Sequence, residues 1–259
     1  SAYLQVDQKA GERLNLSLGT RYEHFSINDS TAAKPVFRAG LNFQAAQASW
    51  LRASFGQGFR FPTIAEKFIR TGLGPLQVYP NNELRPETAI NIEAGFKQGL
   101  KVGGFQGFLD VAGFYQEYDN FIEFTFGQWG NPVTDALAGN GFRSLNTGSS
   151  RVTGWETSLM GRATWGETTL DVLAGYTYTN PVSLTPDYLY SVITNAAGDT
   201  IGGASYNNTS LDTTGQVLKY RSQDLVRFDA ELRRGPWFIG ASARYQSALQ
   251  NIDAAWLLF

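Results

Sequence analysis

The chain has 259 residues, a formal net charge of -2 and no cysteine. The near-neutral charge gives no basic footprint for nucleic acid, and the lack of cysteine excludes disulfides and thiolate metal sites. No run approaches the ~18 apolar residues of a membrane-spanning helix. A soluble β-protein and a β-barrel, which stays polar on average, both remain open classes.

Apolar and polar side chains alternate along much of the chain, which is the period of a β-strand. The alternating runs, in chain order, lie near 2–9, 13–23, 36–44, 49–60, 89–97, 105–118, 151–162, 168–179, 226–233 and 237–246. They predict about ten strands, many near the ~9–11 residues that a tilted strand needs to cross a bilayer. One helical turn is predicted within 62–68.

The predicted connections alternate in length. Short turns are expected near 10–12, 45–48, 98–104, 163–167 and 234–236, and longer loops near 26–35, 61–87, 119–150 and 180–223. Outer-membrane barrels have this asymmetry, with tight periplasmic turns and long extracellular loops. A soluble sandwich mixes its loop lengths with less regularity.

The two faces of the predicted strands differ in chemistry. One carries Leu, Ile, Val, Phe and Ala, and the other carries Arg, Glu, Asp, Asn, Gly and Ser. Aromatic residues near strand ends are expected on the apolar face at the membrane interface: Tyr22, Trp50, Tyr178, Trp237 and Tyr245. The sequence therefore predicts an all-β fold, a transmembrane antiparallel up-and-down β-barrel. Ten strands could close alone or form part of a larger barrel.

Four segments, 52–68, 78–97, 114–122 and 146–156, carry a family resemblance. The first contains Gly58-Phe59-Arg60-Phe61-Pro62-Thr63, and the second contains Pro80-Asn81 and Pro86-Glu87. In order and spacing the four resemble the later barrel strands of TonB-dependent outer-membrane receptors. The residues that carry the motifs are Gly58, Phe59, Arg60, Pro62, Glu66, Pro80, Asn81, Pro86, Glu87, Glu93, Gly154 and Glu156. We expect these residues mainly to shape the barrel rim and fasten loops, with Glu87 and Glu93 pairing with Arg60 or Arg85.

The resemblance implies active import across the bacterial outer membrane by a barrel of about 22 strands. In that family an N-terminal plug fills the barrel and contacts TonB. Residues 1–259 are then expected to be part of one barrel domain, with the plug and the final strands outside this sequence. The implied partners are outer-membrane lipid, TonB through the plug, a nutrient ligand and a surface lipoprotein.

Aromatic residues in the predicted loops are the candidates for ligand contact, because exposed aromatic rings pack or bind something. They are Phe124, Phe126, Trp129, Tyr188, Tyr190 and Tyr206. Such rings could stack on sugars or on aromatic chelates, or pack loop against loop. No cofactor, metal site or catalytic residue is predicted. His24 is the single histidine, so no second histidine or cysteine completes a site around it.

Three functions remain in competition at this point. The leading one is TonB-dependent uptake of a scarce nutrient, such as a siderophore, a cofactor or an oligosaccharide. The second is a structural, receptor-like barrel within a cell-surface complex. The third is a small barrel hydrolase of the outer membrane, whose activity would depend on His24.

Overall fold

The computed structural model describes residues 1–28, 30–74, 76–131, 133–194, 197 and 199–258. In chain order the strands are β1 (Ala2–Ala10), β2 (Leu14–Ile27), β3 (Ser30–Ala46), β4 (Ser49–Arg60), β5 (Thr71–Leu73), β6 (Leu76–Tyr79), β7 (Glu87–Val102), β8 (Phe105–Asp119), β9 (Ile122–Gln128), β10 (Asn140–Asn146), β11 (Ser150–Trp165), β12 (Thr168–Ser183), β13 (Ser191–Thr194), β14 (Thr200–Ala204), β15 (Asp224–Arg234) and β16 (Trp237–Gln246). The helices are α1 (Ile64–Phe68), α2 (Tyr206–Thr209) and the 3-10 turns Ala136–Gly139, Thr214–Gln216 and Ala254–Leu258. None of these helices is long and apolar enough to cross a membrane.

Ten strands form one antiparallel sheet, which we call the wall. Its order is β1-β2-β3-β4-β7-β8-β11-β12-β15-β16, so each strand pairs with its predecessor in the wall. The ten predicted strands and the up-and-down connectivity are therefore confirmed. Strands β5, β6, β9 and β10 make a smaller sheet, and β13 pairs with β14.

The five short turns that join β1 to β2, β3 to β4, β7 to β8, β11 to β12 and β15 to β16 lie at one end of the wall. Four of them contain a glycine in the left-handed region: Gly11, Gly103, Gly166 and Gly235 have φ between 56° and 71°. Only glycine adopts this conformation without steric cost, so these positions fix tight turns between neighbouring strands.

The opposite end carries the long connections, which span 61–86, 120–149 and 184–223. The predicted loop at 26–35 is wrong. β2 continues to Ile27 and β3 starts at Ser30, and the two strands pair along their length up to Ile27 and Ser30, so nearly all of this segment is paired strand. The paired strands satisfy the backbone through this region, although Pro35 and the small residues near it weaken the alternation.

Register divides the wall into two faces, because directly opposite residues of an antiparallel pair share a face. Leu41 lies between Leu16 and Ala53 on the apolar face. On the polar face Asp171 lies between Arg162 and Glu231.

Trp50 does not lie on the apolar face, as the sequence had suggested. It is two residues from Arg52 on β4 and opposite Lys97 on β7, so it shares the polar face with both. The alternation of β4 decides this, because residues two apart in a strand point the same way.

The apolar face is exposed. Leu18 is 63% exposed and Ile239 is 70% exposed, and no second sheet or helical layer covers them within the described ranges. An apolar surface of this extent faces lipid or a partner. Trp155 and Trp165 on β11 are both exposed and lie ten residues apart on this face. At ~3.4 Å per residue and ~45° tilt they bracket about 24 Å, which matches the ~25 Å apolar band of outer-membrane barrels.

Two arginines on the polar face reach across a neighbouring strand. Arg52 is opposite Gly95, and its guanidinium passes over that residue to bind Glu93 on β7 (3.2 Å) and Asp110 on β8. A Cβ at position 95 would lie 2.8 Å from the guanidinium carbon. The same arrangement lets Arg38 pass over Gly19 to Gln5. Glycine thus leaves the space in which each arginine crosses the middle strand to link three strands.

Candidate functional site

A compact set of ionic and capping contacts fixes the first long connection to the wall. Thr63 caps α1 and forms a capping box with Glu66. The Arg60 guanidinium donates to both Glu66 carboxylate oxygens at 2.9 Å, and it lies 3.4 Å from Glu87. The predicted pairing of Glu87 with Arg60 is confirmed.

The connections 61–86 and 120–149 are joined by buried polar contacts. The Glu87 carboxylate accepts a hydrogen bond from the Ile122 backbone N–H (2.9 Å). The Asn81 amide donates to the Ser144 carbonyl (2.9 Å), and Arg143 donates to the Pro80 carbonyl (3.0 Å). These contacts hold the two loops together, because separating them would leave buried polar groups unpaired.

The remaining motif residues also have architectural positions. Pro62 is fully buried and Pro86 is half-buried. Phe59 lies 6.1 Å from the Phe25 ring. Gly58 leaves room for the Ala89 methyl, which is 3.3 Å from where its Cβ would be.

Glu93 does not pair with Arg60 or Arg85. The register places Glu93 opposite Ser54 of β4, and Ser54 is two residues from Arg52 on the same strand. Glu93 therefore forms its salt bridge with Arg52. Arg60 is six residues along the strand, beyond the reach of the side chain.

Gly154 and Glu156 lie on the polar face of β11. A Cβ at Gly154 would lie 2.1 Å from the Tyr178 carbonyl oxygen, so no other residue fits there without movement of the backbone. Glu156 is exposed, opposite Ala112 and Thr177.

Four aromatic rings form a continuous ladder in the loops. Phe124 stacks on Phe142 (centroids 5.0 Å, 10°), and Phe142 meets Phe126 edge-on (5.3 Å, 68°). Phe126 stacks in turn on Trp256 (5.8 Å, 29°). Phe124 is 49% exposed and Trp256 is 40% exposed. We call these four residues the aromatic ladder; offset and edge-to-face pairs of this kind are the preferred aromatic geometries.

The other four predicted contact residues, Trp129, Tyr188, Tyr190 and Tyr206, are not part of the aromatic ladder. Trp129 is half-buried beside Gly127, and Tyr188 is exposed, accepting a hydrogen bond from Arg85 (3.3 Å). Burial raises the pKa of Tyr190 to about 12. Tyr206 is buried, and its hydroxyl donates to the Val217 carbonyl (2.7 Å). The ladder therefore brings together two of the six predicted residues, Phe124 and Phe126.

A buried ion pair joins the third connection to the segment after β16. Lys219 and Asp253 form a salt bridge with side chains only 5% and 3% exposed. Asp253 also accepts a hydrogen bond from the Tyr220 hydroxyl (2.7 Å). We call Lys219, Tyr220 and Asp253 the clasp, and the segments 61–86, 120–149, 184–223 and 247–256 together the loop layer.

The sequence did not reveal Phe142, Trp256 or the clasp. A period-two signal existed for the partner segment of Phe142, 122–128, where Ile122, Phe124 and Phe126 alternate with other residues, but 140–146 shows no such alternation. Lys219 and Asp253 have no local pattern that predicts a partner 34 residues away. Among the described residues no group of three His, Cys, Asp or Glu side chains could hold a metal ion.

Glu123 gives the loop layer a predicted pH dependence. Burial raises the pKa of its carboxyl, against the lowering effects of Arg221 (3.7 Å) and Lys219, and Asp253 raises it further. Because the folded pKa lies above the unfolded one, the layer should gain stability as pH falls from neutral through the folded pKa.

Hydrogen-exchange protection of 120–149, measured at about pH 7 and about pH 5.5, should therefore be greater at the lower pH. The variant Glu123→Gln cannot take up the proton and should lose this difference. An equal pH response in both proteins would contradict the assignment to Glu123.

We compared the chain with protein families and with known proteins. The model of the family described as TonB dependent receptor-like, beta-barrel matches residues 1–257. Hemoglobin and hemoglobin-haptoglobin-binding protein A of Haemophilus influenzae is 29% identical over 113 residues, which are 42% of this chain and 10% of that protein.

Solved structures share the fold at low identity. The siderophore receptor PirA of Pseudomonas aeruginosa matches with a TM-score of 0.61 at 13% identity, over 97% of this chain and 40% of that one. The copper transporter OprC matches with a TM-score of 0.60 at 16% identity, over 97% of this chain and 35% of that one. The hemophore receptor HasR of Serratia marcescens was solved with its hemophore HasA and heme. It matches with a TM-score of 0.58 at 15% identity, over 97% of this chain and 44% of that one. The chain thus spans less than half of each of these proteins.

Proposed function

Because the chain belongs to the family of TonB-dependent receptor β-barrels, we propose that it takes part in TonB-dependent uptake of a ring-bearing nutrient. The family is located in the bacterial outer membrane, where the exposed apolar face of the wall contacts lipid. It is a family of receptors and transporters and not of enzymes, so the hydrolase alternative built on His24 falls away.

The whole protein would contain more of the barrel than this chain. Strands β1 and β16 are the two edges of the wall, and among the described residues each pairs with a single neighbouring strand, β2 and β15 respectively. Unpaired backbone groups in hydrocarbon cost several kcal/mol each, so further strands would close the barrel around a plug that contacts TonB. The polar face of the wall would then line the interior.

The aromatic ladder is the observation that carries the proposed ligand class. In outer-membrane barrels the long connections are extracellular, so the ladder would meet molecules arriving from outside. Its two end rings, Phe124 and Trp256, are exposed, the two middle rings are half-buried, and none of the four side chains is charged. Such rings stack on planar or ring-bearing molecules. Aromatic iron chelates and planar cofactors fit this chemistry, in keeping with the siderophore and heme named for two structural neighbours.

Whole-cell uptake tests the proposal directly. We expect cells that carry the full-length protein to import a ferric tricatecholate siderophore or haemin, and to lose this import when TonB is deleted. The double variant Phe124→Ala/Phe142→Ala should reduce uptake at limiting ligand about tenfold or more, because it removes a stacked pair.

A matched control comes from the wall. Phe37→Ala removes an exposed ring from the apolar face and should leave uptake unchanged once protein levels are equalised. Failure to import either compound, together with co-purification of a surface lipoprotein, would favour the structural alternative. A ladder variant that imports like the wild type would remove the ladder from the binding site.

A further inference from the structure

The Tyr220 hydroxyl is the point at which the aromatic ladder meets the clasp. It accepts a hydrogen bond from the Trp256 indole N–H (2.7 Å) and donates one to Asp253 (2.7 Å). It also accepts from the Asp253 backbone N–H (3.3 Å). One donor and two acceptor positions are the full capacity of a tyrosine hydroxyl, so its orientation is determined.

The groups behind Tyr220 are held rigidly. Asp253 is 2% exposed and paired with Lys219, whose ammonium group also donates to the Thr209 hydroxyl (3.1 Å). A buried pair with its remaining hydrogen bonds satisfied has little freedom to rearrange.

Backbone contacts hold the same segment in place. The Tyr220 N–H donates to the Asn251 carbonyl (2.8 Å), and the Leu211 N–H donates to the Ile252 carbonyl (2.9 Å). Asn251 is itself 3% exposed and donates to the Tyr206 hydroxyl (3.0 Å). The backbone just before Trp256 is therefore held in place at Asn251 and Ile252.

These contacts define what Trp256 can do. Its ring stacks against Phe126 while 40% of the residue stays exposed. Its indole N–H is fixed by Tyr220, so a ligand that stacks on it need not order a mobile side chain. A ring held in advance loses less conformational entropy on binding.

We propose that Trp256 is a ligand-contacting ring of the aromatic ladder and that Tyr220 is its positioning residue, held by Lys219 and Asp253. The ligand part of this inference rests on the proposed function. The positioning part stands on the hydrogen bonds alone, and the two are tested by different measurements.

Hydrogen exchange on the full-length receptor in nanodiscs tests the positioning. Tyr220→Phe removes the acceptor for the indole and the donor to Asp253, so protection of residues 251–256 should fall at least about tenfold. Tyr22→Phe, which removes a hydroxyl from the wall, should leave that protection unchanged. Unchanged protection in Tyr220→Phe would overturn the positioning role.

Binding of a ferric tricatecholate and of haemin tests the ligand role. For a probe that the wild type binds, Trp256→Ala should weaken affinity about tenfold, and Tyr220→Phe should weaken it severalfold. The effect of Tyr220→Phe should disappear in a Trp256→Ala background, since coupled residues are not additive. Additive effects would mean that Tyr220 acts only through general stability.

The positioning role of Tyr220 and the ligand role of Trp256 can be disproved separately. A wild-type receptor that binds neither probe overturns the ring-ligand function and the ligand role of Trp256 with it. Loss of protection in Tyr220→Phe would still support the positioning of the ring. Normal affinity in Trp256→Ala, with tight binding in the wild type, overturns the ligand role of Trp256 alone.

Discussion

Replacing Lys219 by methionine is expected to destabilise the loop layer by about 3–5 kcal/mol, which is the usual loss when one partner of a buried ion pair is removed. The Asp253 carboxylate would remain buried, with the Tyr220 hydroxyl still donating to it but without a compensating charge. Hydrogen exchange should show early opening of 206–220 and 250–256, while the wall strands keep their protection.

Two variants separate this effect from a general loss of charge. Lys219→Met/Asp253→Leu removes both charges and should recover a large part of the lost stability, because no unpaired charge stays buried. Arg162→Met breaks the exposed pair with Asp171, whose side chains are 63% and 40% exposed, and should produce no measurable change. Equal effects of Lys219→Met and Arg162→Met would contradict the importance assigned to burial.

Replacing Gly154 by alanine is expected to cost about 1–3 kcal/mol or more and to lower the yield of folded barrel, because the added methyl has no space. It would lie 2.1 Å from the Tyr178 carbonyl oxygen and 2.6 Å from the Phe114 ring. The ring can turn, but the carbonyl belongs to the paired strand β12 and moves only with the ladder. The folded fraction after refolding into detergent, read from heat-modifiable gel mobility, measures the effect.

Gly56 supplies the matched control on the same face of the wall. A Cβ there would meet nothing within 4 Å, so Gly56→Ala should fold as well as the wild type. Similar folding defects in Gly56→Ala and Gly154→Ala would show that the loss of glycine, and not the clash, causes them.

The motif residues show how much of the site can be predicted from residues that are close in the chain. Thr63, Glu66 and Arg60 are close in the chain, and their capping box and ion pair follow from that spacing. Glu93 is different, because its partner Arg52 was decided by the register between β4 and β7. Register depends on the whole ladder of pairs, so inspection of one strand does not give it.

Sequence by itself determined the ten strands, their two faces, the short turns and the family, because alternation and turn chemistry act over a few residues. It also named Phe124 and Phe126 as candidates for ligand contact. Only the tertiary structure decided that Phe142 and Trp256 join them, and that Lys219 meets Asp253 in a buried pair. These contacts connect segments far apart in the chain, and their geometry depends on the path of the long loops, which follows no repeating pattern.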